Sequence, residues 1–202
     1  MPTLTIFAGV NGAGKSTLYK YYSNLGKTDF GERINADEML RNFGGDWKNP
    51  NHNLKAGIMC IKKIHECLQQ KRSFNWETTI MSHFAIKYIT MAKELGYTVD
   101  VNFVGVNSAQ TAIQRVNSRV VAGGHGIPED LIKQRYANQF VTLSKVLPII
   151  DNAFFFDNSS TFKIVATYSN PELTFIDENV IWAKNLTFCY KEMQQQIIEG
   201  KQ

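Results

Sequence analysis

The glycine-rich segment at residues 9–16, GVNGAGKS, constrains the fold more than any other part of the sequence, because it fits the pattern G-x-x-x-x-G-K-[ST] at every fixed position. A short apolar run at residues 4–8 precedes it and is typical of a buried strand, and residues 17–23 after it contain no helix breaker. A strand, this loop and a helix in succession form a phosphate-binding loop, in which glycines turn backbone N–H groups toward phosphate oxygens. The segment therefore predicts a binding site for a nucleoside triphosphate.

Two side chains of this loop add chemistry to the backbone. Lys15 is expected to reach the β- and γ-phosphates, and the Ser16 hydroxyl is a natural ligand for Mg²⁺. The pattern leaves ATP and GTP open as the nucleotide. The predicted nucleotide contacts are Gly9, Asn11, Gly12, Ala13, Gly14, Lys15, Ser16 and Thr17.

The composition is that of an ordinary globular protein, with 44% hydrophobic and 20% charged residues among 202, and this length predicts a single domain over residues 1–202. The net charge of +4 suits small anionic substrates and is too small for a protein that binds long nucleic acids. Three cysteines make no disulfide framework, and no apolar segment reaches the length of a membrane span. We therefore expect a cytoplasmic protein without a membrane partner.

Strand patterns alternate with helix patterns along the chain, which predicts an α/β fold. After residues 4–8, strands are predicted to end near residue 35 and to cover residues 73–79, 97–106 and 153–157, with residues 163–168 and 173–176 as candidate edge strands. Helices are predicted from residue 17 and over residues 54–70, 83–95, 108–122, 129–147 and 181–198, with an exposed loop at 43–53. The pattern indicates a P-loop NTPase fold with three α/β/α layers and a mainly parallel, five-stranded sheet.

Three acidic residues lie at the ends of predicted strands, where a parallel sheet gathers side chains around the phosphate loop. Asp37 is either a general base that accepts the proton of an attacking hydroxyl or the N-cap of the next helix. Glu77, followed by Thr78 and Thr79, either contacts substrate hydroxyls or Mg²⁺ through water, or is an exposed strand end. Asp157 is interpreted as a turn residue rather than a metal ligand, because its strand comes last among the parallel ones.

Three arginines lie on the two predicted helices that flank a glycine-rich break. Arg115 and Arg119 are four residues apart on one helix, and Arg135 lies on the next. Positive charge near the β- and γ-phosphates is what a phosphoryl-transfer transition state requires, so residues 109–147 predict a helical lid. The alternative is a solvated helix face. His125, in the break, either contacts phosphate or is merely exposed.

Taken together and in this order, the motifs resemble the zeta-toxin family of P-loop kinases, in particular its shorter members. The resemblance covers about the first four-fifths of the chain. It is carried by residues 9–16, 34–38 (INADE), 77–79 (ETT), 96–97 (GY), 115–119 (RVNSR), 123–125 (GGH), 127–128 (IP), 135–136 (RY) and 157–159 (DNS).

This resemblance implies a kinase that depends on ATP and Mg²⁺ and phosphorylates a sugar hydroxyl of UDP-N-acetylglucosamine or a related nucleotide sugar. It implies Asp37 as the catalytic base, and Arg115 with either Arg119 or Arg135 as lid arginines. An antitoxin protein is the partner that such a family suggests. The predicted substrate contacts are Glu77, Thr78, Thr79 and His125.

Two other functions stay open on the sequence. A polynucleotide or nucleoside kinase would share the phosphate loop and the catalytic carboxylate. A nucleotide-binding switch module would share the loop but would need no base to activate a hydroxyl, because its output is a change of conformation.

Overall fold

The structure is a computed structural model that describes residues 1–26, 28–79 and 83–199. Within these ranges, the strands are β1 (Thr3–Ala8), β2 (Glu32–Asn35), β3 (Phe74–Thr78), β4 (Thr98–Gly105), β5 (Asn152–Asp157), β6 (Lys163–Ser169) and β7 (Glu172–Phe175). The helices are α1 (Lys15–Asn24), α2 (Ala36–Asn42), α3 (Pro50–Gln69), α4 (His83–Glu94), α5 (Ala109–Val121), α6 (Glu129–Val146) and α7 (Ala183–Ile198), and one 3₁₀ turn covers Leu147–Ile149.

The strands form one sheet in the order β2-β3-β1-β4-β5-β6-β7, in which the first five strands are parallel. The predicted α/β class and mainly parallel sheet are confirmed, but the count of five strands was too low. The two candidate edge strands do pair, as an antiparallel hairpin, β6 and β7, which continues the sheet beyond β5. Antiparallel strands need no crossover helix, so the helix–strand alternation that identified the first five strands is absent there.

Side chains on the two faces of the sheet enter two separate apolar clusters. In β1, Ile6 lies in the cluster shared with α3, α4 and α7, whereas its neighbour Phe7 lies in the cluster shared with α1 and α5. Successive residues of a strand point to opposite faces, so a strand that is apolar on both faces is covered by helices on both sides. The result is the three-layer arrangement predicted from the sequence.

The helix α3 begins earlier than its apolar pattern predicts, at Pro50 rather than at residue 54. The Asn49 side chain caps it by accepting a hydrogen bond from the Asn51 N–H, and Pro50 occupies the first helical position, where its missing N–H costs nothing. The loop predicted over residues 43–53 therefore ends at Asn49. Among the described residues, no helix combines the length and the apolar character that crossing a bilayer would require.

Candidate active site

A cleft of about 1290 Å³ opens at the carboxyl ends of β1, β2 and β3, between the phosphate loop on one side and α3 and the α5–α6 pair on the other. Nearly all of the predicted site residues line it. The exceptions are Gly9 and Ala13, which form the underside of the loop and are buried against the rest of the protein. The lining residues among those predicted are Asn11, Gly12, Gly14, Lys15, Ser16, Thr17, Asp37, Glu77, Thr78, Thr79, Arg115, Arg119, His125 and Arg135.

Glycine is required in the loop because the backbone is both left-handed and closely packed. Gly9 has φ +133° and Gly12 has φ +82°, and a Cβ would overlap the carbonyl oxygen of Val104 at the first position and that of Ala112 at the second. Both overlaps are with backbone atoms, which cannot move away as the end of a flexible side chain could. The loop therefore lies directly on β4 and α5, with α1 beginning at Lys15 just after it.

Lys15 lies inside the cleft, with 7% of its surface exposed. Its ammonium donates to the Val10 carbonyl oxygen at 3.2 Å. Burial lowers the pKa of Lys15, while the nearby carboxylates of Glu77 and Asp37 act to raise it. The lysine is a cation held in a poorly solvated place, where an anionic ligand would be its strongest partner.

Glu77 lies at the end of β3, the strand that pairs with β1, and its carboxylate accepts the Ser16 hydroxyl at 2.8 and 2.9 Å. Asn35 donates to the same carboxylate at 2.9 Å, and Arg33 forms an ion pair with it. Only 10% of the Glu77 side chain is exposed, so the interpretation as an exposed strand end is wrong.

Arg33 is a site residue that the sequence reasoning missed. Its guanidinium bridges Glu77 and Glu38, donates to the Asn75 side-chain oxygen at 3.1 Å, and lies 3.8 Å from the centre of the Tyr19 ring. The sequence does contain a signal for it. Arg33 and Asn35 are two residues apart in β2 and therefore lie on the same face of the strand, so Arg33 could have been placed beside the site with Asn35. Arg33 and Asn35 pair in register with Asn75 and Glu77 of β3.

Asp37 is not the N-cap of α2. That position belongs to Asn35, whose side-chain oxygen accepts the N–H groups of Asp37 at 2.8 Å and Glu38 at 3.3 Å. The capping alternative for Asp37 is therefore wrong, and its carboxylate is left to face the cleft. There it lies 3.6 Å from Arg119 Nη1 and 3.5 Å from His125 Nε2.

The three arginines converge on the cleft, so the interpretation as a solvated helix face is wrong for them. Arg135 donates to the Asn11 side chain of the phosphate loop at 2.6 Å, and Arg115 donates to the Ser159 carbonyl oxygen at 3.3 Å. Within the described part of the chain, Arg115 Nη1 and both Nε and Nη2 of Arg119 are buried and have no hydrogen-bond partner. Buried N–H groups of a cation without an acceptor are costly, and phosphate oxygens in the cleft would satisfy them.

His125 is half-buried beside Asp37 rather than merely exposed. Its ring lies 6.0 Å from the ring of Trp47, measured between centroids, and 18% of its side chain is accessible. Burial lowers the pKa of His125, and the Asp37 carboxylate opposes that effect.

Asp157 does not line the cleft, in agreement with its interpretation as a turn residue. Its strand, β5, is separated from β1 by β4. Its carboxylate is buried and accepts hydrogen bonds from the Ser159 hydroxyl at 2.7 Å and from the Trp182 indole at 2.9 Å.

The oxygen ligands beside the phosphate loop fit Mg²⁺. The described residues contain no group of three or more His, Cys, Asp or Glu that would hold a metal ion unaided. Mg²⁺ in nucleotide sites is usually held by one or two carboxylates or hydroxyls together with the phosphates and water. Ser16 and Glu77, in direct contact and next to the loop, are such a pair.

The outer half of the cleft has a different character, because aromatic and amide or hydroxyl side chains replace the charges. The rings of Trp76 and Tyr88 pack edge to face with their centroids 6.5 Å apart. This wall was not predicted, since its residues come from three separate helices, a strand and the loop before α3. It is formed by Trp47, Asn53, Ile61, Trp76, Phe84, Tyr88, Asn138 and Thr142.

Comparison with known proteins agrees with this geometry. The sequence matches the AAA domain family over residues 4–139. An uncharacterized protein of Haemophilus influenzae (strain ATCC 51907 / DSM 11121 / KW20 / Rd) is 31% identical over 131 residues, which cover 64% of this chain and 89% of the relative.

Several solved structures share the fold at low sequence identity, including the following two. A structure of AvrRxo1-ORF1:-ORF2 with ATP superposes with a TM-score of 0.66 at 15% identity, covering 96% of this chain and 63% of that one, so the present chain spans less than two thirds of it. A structure from the PezAT chromosomal toxin–antitoxin system of Streptococcus pneumoniae superposes with a TM-score of 0.63 at 15% identity, covering 98% and 88%. The predicted resemblance to the zeta-toxin family is thus confirmed at the level of the fold. The chain belongs to the AAA domain family and has the three-layer α/β/α fold of a P-loop NTPase.

Proposed function

We propose that the protein is a kinase that uses ATP and Mg²⁺ to phosphorylate a hydroxyl group of a small molecule, a nucleotide sugar such as UDP-N-acetylglucosamine. One observation carries the proposal. The Asp37 carboxylate, free of any capping role, faces the same cleft as Lys15 and lies 3.6 Å from Arg119. A switch module would have no use for a carboxylate at that place, whereas a hydroxyl kinase needs one.

The phosphate loop and its neighbours would hold the nucleotide. The N–H groups of the loop and the α1 terminus would bind phosphate oxygens, and Lys15 would bridge the β- and γ-phosphates. Ser16 would ligate Mg²⁺, with Glu77 beside it, and the ion would neutralise charge on those phosphates. ATP is favoured over GTP because a structure that shares the fold contains ATP.

In the transfer, the acceptor oxygen would attack the γ-phosphorus as the bond to the bridging oxygen of ADP breaks. Asp37 would take the hydroxyl proton, and the donors of Arg115, Arg119 and Arg135 would stabilise the charge that spreads over the γ-phosphoryl oxygens. Arg119 and Arg135 both line the cleft, so we propose that both of them act as lid arginines together with Arg115. The α5–α6 pair, residues 109–147, would act as the lid of a single kinase domain, residues 1–202.

The acceptor would occupy the outer half of the cleft. Trp47 and Trp76 offer flat apolar faces on which a sugar or a base can stack, and Thr78, Thr79 and His125 offer polar groups for its hydroxyls. An antitoxin partner is part of the proposal, supported by the fold shared with the PezAT toxin–antitoxin system. A cytoplasmic location and the absence of long nucleic-acid substrates stay predictions from the sequence.

The test is a screen for phosphorylated products. Purified protein is incubated with MgATP and a panel of UDP-sugars, nucleosides and short oligonucleotides, and masses that rise by one phosphoryl group are sought. We expect a UDP-sugar to gain phosphate. Lys15→Ala should abolish that gain, and Lys20→Ala, which removes an exposed lysine of the same helix, should not.

Other outcomes of the screen would change the proposal in defined ways. Transfer to nucleosides or oligonucleotides would keep the kinase and discard the nucleotide sugar. ATP that is bound and slowly hydrolysed, with no acceptor phosphorylated, would contradict the kinase and favour the switch.

A further inference from the structure

The turn at residues 157–159, which begins at the last residue of β5, contacts both the phosphate loop and the lid pair. The Asn158 side-chain amide donates to the Ala13 carbonyl oxygen at 2.8 Å. One residue later, the Ser159 carbonyl oxygen accepts the Nη2 donor of Arg115 at 3.3 Å. The turn therefore sets the position of a lid arginine relative to the loop on which the phosphates are proposed to bind.

Asp157 holds this turn in place from behind. With 4% of its surface exposed, it accepts the Ser159 hydroxyl at 2.7 Å and the Trp182 indole N–H at 2.9 Å, both on Oδ1. The Ser159 hydroxyl oxygen in turn accepts the Asn107 backbone N–H at 3.0 Å. These bonds connect the turn to the loop between β4 and α5 and to the segment before α7, so its backbone has few alternative positions.

Trp182 is itself held rigidly. Its ring is fully buried, is stacked against Phe140 of α6, and packs so closely on Gly105 that no side chain would fit there. The indole N–H that meets Asp157 is thus fixed by the core, and the Asp157 carboxylate is fixed by the indole. A buried carboxylate that accepts two hydrogen bonds has a fixed position, and it therefore also fixes the position of the Ser159 hydroxyl.

The position of Arg115 depends on this turn, because its guanidinium donates to the Ser159 carbonyl oxygen. A guanidinium on a long side chain has many rotamers, and anchoring one of its N–H groups removes most of them. The bond from Nη2 to the Ser159 carbonyl is such an anchor, and it leaves the buried Nη1 without a partner among the described residues. Donors held in advance where charge develops stabilise a transition state at no cost of reorganisation.

We infer that Asp157 is a positioning residue for phosphoryl transfer, which acts through Ser159 to aim Arg115 at the γ-phosphoryl group. Asp157 does not line the cleft, so it would act on bound reactants only through other residues. Its removal lowers the rate of the chemical step and leaves the binding of ATP nearly unchanged. The inference rests on the proposed function, since it assigns Arg115 to the transition state.

A double-mutant cycle with Asp157→Ala and Arg115→Ala tests it. The readout is phosphate release from MgATP with water as the only acceptor, which depends on the lid arginine and not on the identity of the natural acceptor. We expect Asp157→Ala to lower kcat about tenfold with KM for ATP changed less than about twofold. Arg115→Ala should lower kcat about 100-fold, and adding Asp157→Ala to it should have no further effect.

Two variants separate positioning from simple loss of stability. Asp157→Asn keeps an oxygen acceptor for Ser159 and Trp182, so it should recover most of the kcat that alanine loses. Asp100, on β4 and away from the cleft, accepts the side-chain amide of Asn152 of β5 at 2.9 Å, so Asp100→Ala removes a comparable bond and should leave kcat unchanged. If Asp157→Ala does not fold, Ser159→Ala, which removes the hydroxyl link alone, replaces it in the cycle.

Three results would overturn the inference: a kcat of Asp157→Ala equal to that of the wild type, a change confined to KM, or effects of Asp157→Ala and Arg115→Ala that multiply in the double variant. None of these would touch the proposed kinase, which fails instead if no acceptor in the screen gains phosphate. If the wild type releases no phosphate from MgATP in the absence of an acceptor, the same cycle is measured as transfer to the acceptor that the screen identifies, and the same three results overturn the inference.

Discussion

The Glu77 carboxylate accepts hydrogen bonds from three residues of two elements, which hold it firmly in the cleft. Ser16 comes from α1, and Arg33 and Asn35 come from β2. Arg33 is also stacked over Tyr19 with its guanidinium carbon 3.8 Å from the ring centre. A planar guanidinium can satisfy several oxygens and a ring face at once, which the rounder ammonium of lysine cannot.

Arg33→Lys is therefore expected to keep the charge and lose the geometry. Without the fork of donors, Glu77 is no longer aimed at Ser16, and the Mg²⁺ concentration for half-maximal phosphoryl transfer should rise about tenfold. A titration of activity against Mg²⁺ measures this. Arg72→Lys is the matched control. Arg72 forms an ion pair at 3.5 Å with Glu32, the residue before Arg33 in β2, and does not contact Glu77. Equal Mg²⁺ dependence in both variants would contradict the role given to Arg33.

At the scale of elements, the start of α2 decides what Asp37 is able to do. Asn35 ends β2, caps α2 and donates to Glu77, so one side chain joins the strand, the helix and the site. Because Asn35 accepts the first free N–H groups of the helix, Asp37 in the first turn needs no backbone partner and faces the cleft.

Replacing two helix caps separates stability from function. Asn35→Ala at α2 and Asn49→Ala at α3 should each lower the free energy of unfolding by about 1 kcal/mol, because each leaves helix N–H groups without an acceptor. Only Asn35→Ala should also slow phosphoryl transfer, by about tenfold, since only α2 carries Asp37. Chemical denaturation and initial rates measure the two effects. A similar loss of activity in Asn49→Ala would show that any weakened cap is sufficient.

The sequence predicted elements well where a local signal exists and less well where it does not. The loop at residues 9–16 and the helix over residues 108–122 follow from local chemistry and were predicted, and Ser108 caps that helix by accepting the Thr111 N–H at 3.1 Å. Arg33 and the early start of α3 were missed, because their signals are a register between strands and a cap inside a turn-rich segment. The aromatic wall was missed for the same reason, since only tertiary structure brings it together.

For the whole molecule, the sheet order explains how distant parts of the chain support one cleft. The β6–β7 hairpin lies beyond β5 in the sheet, and α7 follows it near the end of the described chain, far from the phosphate loop in sequence. Trp182, directly before α7, nevertheless connects this region to the site, because it packs on Phe103 of β4 and Phe140 of α6 and donates to Asp157. The part of the chain after residue 160 therefore contributes to the core and to the support of the site.

Trp182→Ala tests this contribution. The residue is fully buried in the main cluster, so its truncation should lower the free energy of unfolding by about 3–5 kcal/mol through lost burial and a cavity. Phe188→Ala, at a position of α7 that is 64% exposed, should change it by less than about 0.5 kcal/mol. Denaturant titration measures both. Equal losses in the two variants would mean that α7 is held by its outer face and not by the indole.

The most direct measurement compares the rate of phosphoryl transfer in the wild type and in Asp37→Asn, with MgATP affinity measured in parallel by calorimetry. Asparagine has the same shape but accepts no proton at neutral pH, so we predict that transfer falls by at least about 100-fold while ATP affinity stays within about twofold. Asp46→Asn, at an exposed carboxylate in the loop before α3, should match the wild type in both measurements. Transfer by Asp37→Asn at the wild-type rate would contradict the assignment of Asp37 as the base.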